Sequence, residues 1–452
     1  MKRLCHGLAV AAFLAAPVVA FGQAAGDQGA RPAGNPSAGV HPSYLQQSQN
    51  EPVPVPPERT RGDVPSATPA PGEAPPAAQP AAETPPRPLM SLLNTTPVGK
   101  TLNDAKINIF GHVEASWTHN FSSDARIIPG RAFDVENDDP TLNQIDLTIE
   151  RTIDFSPTNW DVGGRIEMIY GGDSRFIHAA GLFDYQGFDN GPDAQFDLNQ
   201  AYVDVNVPLG KGVKVRAGKF VTPLGYEVIN PTGNPLYSHS YLFAYAIPFT
   251  HTGVLGTYQI NDKLTVVGGV TRGWDTATED TNDTVDFLGG ATYTVSDKTG
   301  LVVNVVSGPD QPGDNDNWRT VLDVTVTHKL SDDLSVAVNG DYGYEANSVS
   351  SVSHSDAQWF GVAGYVSKKL NDYCTVNGRA EYFNDQDGAR IAGTATSWYE
   401  ATLGLAVKPM PNDHIGQNLV LRPEVRFDYA EDRVFNGDYN QFTFGIDAYF
   451  TF

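Results

Sequence analysis

The chain has 452 residues, with 53 acidic against 30 basic side chains and a formal charge of −23, which excludes the basic surface that nucleic acid requires. Its two cysteines, Cys5 and Cys374, exclude a disulfide framework and a thiolate metal site. Mean hydropathy is −0.30, and no run of about 18 apolar residues follows the N-terminus, so helical membrane spans are excluded while alternating strands are not.

Residues Met1–Ala24 read as a secretory signal peptide. Lys2 and Arg3 supply the positive start, and Leu8–Ala20 is an apolar run too short to cross a bilayer. Residues 25–97 then hold more than half of the chain's 32 prolines, as in Glu51-Pro-Val-Pro-Val-Pro-Pro57. A segment with so few apolar groups cannot offset its ordering entropy, so a disordered periplasmic linker is expected. An inert spacer is the plainer reading of it, and a peptidoglycan contact the sharper one. Its one greasy patch, Leu89-Met-Ser-Leu-Leu93, is a candidate to dock in or under whatever follows.

From 105 to 452 apolar residues alternate with polar ones, and sixteen strands are predicted: 105–119, 142–155, 159–170, 195–207, 212–221, 251–260, 263–273, 284–296, 299–307, 319–330, 333–345, 357–370, 373–384, 397–407, 418–428 and 441–452. Each has the length that a tilted membrane strand needs. Short turns such as Ile260-Asn-Asp-Lys263 and Leu370-Asn-Asp-Tyr373 alternate with long loops at 120–141, 171–194, 222–250, 274–283, 308–318, 346–356, 385–396 and 429–440. Short connections on one side and long ones on the other fit an all-β, transmembrane, antiparallel up-and-down β-barrel of about sixteen strands. An even strand count places both termini on the short-turn side, the periplasm of a Gram-negative-type bacterium. The six tryptophans lie near strand ends, as an aromatic girdle would place them.

The final strand shows the pattern plainly. Phe442, Phe444, Ile446, Ala448, Phe450 and Phe452 share one face, and Thr443, Gly445, Asp447, Tyr449 and Thr451 share the other. Phe452 is the expected aromatic end read by the barrel assembly machinery, and this strand is expected to close the sheet against 105–119.

Four segments carry a family resemblance: Gly218-Lys-Phe-Val-Thr-Pro-Leu-Gly-Tyr-Glu227, Tyr237-Ser-His-Ser-Tyr-Leu-Phe243, Pro248-Phe-Thr-His-Thr-Gly-Val254 and Asn418-Leu-Val-Leu-Arg-Pro-Glu-Val-Arg-Phe-Asp428. With these, residues 105–452 resemble the OmpL-like outer-membrane β-barrel porins. The resemblance implies an outer-membrane lipid environment and a pore for small hydrophilic solutes or ions, and it leaves a homotrimer open as the assembly. The long proline-rich N-terminus has no counterpart in the pattern.

With the greasy face toward lipid, charge falls inside: Arg165 and Glu167, Lys214 and Arg216, Arg379 and Glu381, then Arg422, Glu424, Arg426 and Asp447 are the expected pore-lining residues. This sorting has an energetic basis, because Arg or Lys facing mid-bilayer lipid costs about 2–4 kcal/mol. Sixteen strands enclose more space than side chains fill, leaving water inside. Rows of charge on such a wall order water and select solutes; the plainer role is mutual neutralisation within the wall.

The third long loop, 222–250, carries one formal charge, Glu227, amid Tyr226, Tyr237, Tyr241, Phe243, Tyr245 and Phe249. So apolar a loop is poorly suited to water, so it is expected to fold into the lumen as a constriction bearing Glu227, Tyr237, His239 and Tyr241. A cap on neighbouring loops or a subunit contact would also hide it. Acidic clusters in the first loop (Asp134, Glu136, Asp138, Asp139) and the fifth (Asp310, Asp314, Asp316) offer oxygens that calcium or magnesium favours, but they lack EF-hand spacing, and solvated loops are the plainer reading. No phosphate loop, dinucleotide fingerprint or zinc motif is present, so no cofactor is expected. His112 with Glu114, or His251 with Ser238 and His239, have no sequence context for catalysis, and the chain is not expected to be an enzyme. Net acidity gives an expectation of mild cation preference. A second reading is an envelope-anchoring or surface protein whose barrel is chiefly an anchor and whose tether contacts the cell wall.

Overall fold

The computed structural model describes residues 87–184, 192–279, 281–391 and 393–452. The expected signal peptide and nearly all of the linker lie outside the described residues.

Sixteen strands form, in chain order: β1 Ile107–Asn120, β2 Thr141–Arg151, β3 Asp161–Gly171, β4 Gln195–Val207, β5 Val213–Val221, β6 Thr250–Asn261, β7 Leu264–Thr271, β8 Asp286–Ser296, β9 Thr299–Pro309, β10 Trp318–Ser331, β11 Leu334–Glu345, β12 Ala357–Asn371, β13 Cys374–Asp385, β14 Thr396–Val407, β15 Leu419–Ala430 and β16 Asn440–Thr451. Every expected strand is present. Each pairs with its chain neighbours, and β1 pairs antiparallel with β16, closing the barrel. Phe452 completes the seam: its N–H donates to the Gly111 carbonyl at 2.9 Å, and its carbonyl accepts from the Gly111 N–H at 3.1 Å.

Alternation sets which side chains see which medium. On β2, Ile145, Leu147 and Ile149 stand exposed on the outer surface, while Gln144, Asp146, Thr148 and Glu150 between them are buried inside. On β12, Val362 and Val366 point out and Ala363 and Tyr365 point in. A ring of exposed Val, Leu, Ile and Phe is a surface that lipid covers and water does not.

The sorting of connections holds broadly but not at every place. The 408–418 connection, on the short-turn side, is longer than the 310–317 loop opposite, because Pro409 and Pro411 bar further pairing and a 3-10 turn, Gly416–Asn418, intervenes. The girdle also differs from expectation. Trp117, Trp160 and Trp318 lie at strand ends with partly or largely exposed rings, but Trp274, Trp359 and Trp398 are buried inside the barrel or under its loops. The outer aromatic belt is made by smaller rings instead. Phe360, Tyr382, Tyr399 and Tyr429, on β12 to β15, contact one another in turn at 6.0, 5.1 and 5.8 Å between centroids.

The last residues of the linker, expected to end at 97, are helical. Two short helices, α1 (Pro88–Leu93) and α2 (Pro97–Asp104), each start with proline at the first position, where its missing N–H costs nothing. The Thr96 hydroxyl caps α2 by accepting from the Gly99 N–H at 3.3 Å. The greasy patch docks: Met90 is buried, its sulfur accepts from the Ile109 N–H at 3.3 Å, and the Arg87 guanidinium stacks 3.8 Å from the ring of inward-facing Phe110. The hairpin therefore sits against the inner face of β1 at the short-turn end.

Candidate functional site: the lumen and its third loop

The third loop leaves β5 at Thr222-Pro223-Leu224-Gly225, where φ of +79° at Gly225 admits a turn that a side chain would strain. It returns through a helical turn at Leu242–Ala246 to β6. Between these points it is held by β1, β2, β9 and β12 to β15, strands spread around most of the ring, so it lies inside the barrel.

Burying a loop leaves its peptide groups in need of partners. The inward wall supplies them. Glu424 accepts from two consecutive amides, Tyr237 at 2.8 Å and Ser238 at 3.0 Å. Glu381 does the same for Tyr241 and Leu242, both at 2.6 Å, at the head of the helical turn. The arginines take the carbonyls. One nitrogen of Arg422, Nη1, donates to the carbonyls of Pro231, Asn234 and Leu236, each at 2.9 Å. Arg379 donates to the Ser238 carbonyl at 2.6 Å, and Arg426 donates to that of His239. Neutral groups add further ties: Asn304 to Pro223 at 2.6 Å, Asn377 to Pro235 at 2.7 Å, Gln144 to Ile229 at 2.9 Å and Trp359 to Ala246 at 3.0 Å.

Glu227, the loop's one carboxylate, is saturated. Its oxygens accept from Arg379 at 2.8 Å, Tyr365 at 3.1 Å, His239 at 2.9 Å and the Ser240 N–H at 3.0 Å. Burial works to raise its pKa, but the Arg379 guanidinium and the His239 hydrogen bond outweigh it and hold the carboxyl at about 2. Burial lowers the pKa of His239 in spite of Glu227 beside it, so its ring is neutral and the contact is a hydrogen bond rather than an ion pair. A chain of alternating charge extends from this point. Arg379 also reaches Glu400 at 2.6 Å, Arg426 lies 3.7 Å from Glu400 and 2.8 Å from Asp428, and Arg131 from the first loop lies 2.7 Å from Asp428. The first loop enters too: Phe133 contacts His239, Phe243 and Phe249 at 5.0, 5.4 and 6.0 Å.

All ten charged residues expected to line the pore point inward, but they divide into three groups. Arg379, Glu381, Arg422, Glu424, Arg426 and Asp447 are buried against the loop or against one another, with Asp447 held by Arg422 at 2.6 Å. Arg165 and Glu167 serve the wall: Arg165 pairs with Glu150 at 2.7 Å, and Glu167 accepts from Asn199 at 2.7 Å and Gln200 at 2.8 Å. Only Lys214 and Arg216 keep partial exposure. Glu227, Tyr237, His239 and Tyr241 lie in the lumen as expected of the loop, yet all four are buried: Glu227, Tyr237 and Tyr241 against the wall, and His239 between Glu227, Phe243 and Phe133 of the loops. Tyr237 donates to Ser116 at 2.7 Å and Tyr241 to Asp428 at 2.8 Å.

Two of the first-loop acids, Asp134 and Glu136, are buried in ion pairs, while Asp138 and Asp139 stand exposed as expected. Asp134 pairs with Arg131, Glu136 with Arg126 and Arg175, and Asp138 with His119. Among the described residues no three acidic, histidine or cysteine side chains converge on a metal site. His251 bonds Thr222 at 3.0 Å, His239 bonds Glu227, and the Ser238 hydroxyl accepts from Arg379 at 3.3 Å, so these residues form no nucleophile–base pair.

Residues 106–452 match the protein family described as "Putative beta-barrel porin-2, OmpL-like". The chain belongs to this family. It is also similar to solved outer-membrane barrels. The outer membrane channel DcaP of Acinetobacter baumannii matches at 14% identity and a TM-score of 0.50, over 76% of this chain and 97% of that one. The anion-selective porin from Comamonas acidovorans matches at 10% identity and a TM-score of 0.53, over 76% of this chain and 99% of that one. At such identities the likeness is one of fold. No curated protein matches this chain by sequence. Family and fold together make it an outer-membrane barrel of the porin kind.

Proposed function

We propose that the barrel passes small hydrophilic solutes by passive diffusion through a lumen narrowed by its third loop. One observation carries the reading: inward carboxylates and guanidinium groups of the wall bond peptide groups of Pro231, Asn234, Leu236, Tyr237, Ser238, His239, Tyr241 and Leu242, so the loop is seated in a fixed place. Narrowing by a seated loop restricts solute size without a moving part. In this reading the short-turn end, with α1, α2 and Phe452, faces the periplasm, and Phe452 is the end that assembly machinery reads. Planar-bilayer conductance of the purified full-length protein tests the proposal, which expects discrete ohmic steps.

The extent of burial in the lumen supports a second reading, in which the barrel is chiefly an anchor and the N-terminal segment contacts the cell wall. That reading expects no conductance, and retention on purified peptidoglycan that disappears when residues 25–97 are removed.

A further inference from the structure

Burial within the lumen is uneven. On β1 and β2 and on β9 to β16 the inward side chains at mid-strand are almost all buried against the loop and its partners. On β5 to β8 burial is broken: Leu255, Gln259, Leu288 and Thr292 are buried, but the inward positions between them are partly open. Lys214, Thr257, Val267 and Gly290 stand in register across these four strands, paired Lys214 to Thr257, Thr257 to Val267 and Val267 to Gly290, and all four are partly exposed. Asn304 follows Gly290 in the same row on β9, and it is there that the loop begins to cover the wall, through the Pro223 carbonyl.

The charges along this strip are also uneven. Arg216 is matched by Asp204 through two hydrogen bonds, at 2.8 and 2.9 Å. Lys214 has no carboxylate partner among the described residues; its ammonium stands 5.8 Å from the Phe155 ring. The rest of the row is neutral. No acid stands in this row: the lumen carboxylates Glu227, Glu381, Glu424 and Asp447 are buried elsewhere with their oxygens occupied.

We propose that solute crosses the barrel off-centre, along the β5–β8 wall, and that Lys214 is the group that makes this passage prefer small anions such as carboxylates. The inference rests on the porin reading and adds to it a route and a charge class. It runs opposite to the cation preference that net charge alone suggests, because selectivity follows the fixed charge that water in the passage can reach rather than the total.

Two measurements on the full chain in planar bilayers test it. Under a KCl gradient the reversal potential of the unaltered protein has the sign for chloride, and Lys214→Glu moves it toward potassium. In a background with the buried Cys374 replaced by serine, Thr257→Cys and Val267→Cys lose conductance on treatment with a negatively charged, membrane-impermeant thiol reagent. Thr402→Cys, on the loop-covered wall, keeps its conductance. Cation selectivity in the unaltered protein, or a Lys214→Glu channel with unchanged selectivity, overturns the role of Lys214. Block at Thr402→Cys without block at Val267→Cys overturns the route. An unaltered protein that conducts nothing overturns the porin reading itself, and this inference with it.

Discussion

Arg379→Met is the substitution that most directly probes how the loop is held. The guanidinium is fully buried and contacts Glu227 at 2.8 Å, Glu400 at 2.6 Å and the Ser238 carbonyl at 2.6 Å. Methionine fills much of the volume but leaves Glu227 without a cation, while Glu400 keeps only Arg426 at 3.7 Å. Removing one partner from a buried ion pair costs about 3–5 kcal/mol. Glu400 belongs to the strand ladder and cannot leave, but Glu227 sits on the loop and can, so most of the cost falls on the seated state. At about 1.4 kcal/mol per tenfold, the seated-to-released ratio falls by roughly a hundredfold to a few thousandfold. The barrel ladder itself is untouched, so the heat-modifiable band on a gel remains. Single-channel recording then shows larger and noisier conductance, and Glu227→Gln added to Arg379→Met restores part of the quiet state by removing one uncompensated charge. A folded Arg379→Met protein with the same conductance and noise as the parent refutes the assignment of Arg379 as a latch.

Three further outcomes follow from the same geometry. Because the Glu227 pKa is depressed to about 2 in the folded state, its contribution is complete above the ordinary carboxylate value near 4.5 and is lost as pH falls from there toward 2; conductance rises over that window, and Glu227→Gln flattens this step. Val362→Arg, placing a cation on the lipid face of β12, lowers barrel stability by about 2–4 kcal/mol in urea titrations in lipid, whereas Val267→Arg, on the inner face of β7, leaves the barrel folded and reduces conductance. Deleting Phe452 removes both backbone hydrogen bonds that it makes with Gly111, each worth about 0.5–1.5 kcal/mol, and lowers the folded, heat-modifiable fraction recovered from membranes.

The strands were legible because lipid outside and water or polar protein inside impose a period of two on every segment, and because turns such as Ile260-Asn-Asp-Lys263 carry their own chemistry. The entry of the third loop into the lumen was legible from one negative fact, the near absence of charge over 222–250. What the inward Arg and Glu rows do was not legible. Arg422 and Glu424 on a strand look the same whether they face water or a peptide backbone, and only the seated loop distinguishes the two. The tryptophans misled for a related reason: Trp359 and Trp398 lie near strand ends, as girdle residues do, but their parity points them inward, where a loop carbonyl and Tyr241 receive them. The α1–α2 hairpin was hidden by composition, since two prolines that open helices read in sequence as more of the linker.

Deleting residues 226–246 and recording single-channel conductance of the refolded barrel tests the central claim most directly. The account predicts a conductance well above that of the unaltered protein, because the segment that fills the lumen is gone while the strand ladder remains. An unchanged conductance in a barrel shown to be folded by its heat-modifiable mobility would contradict it.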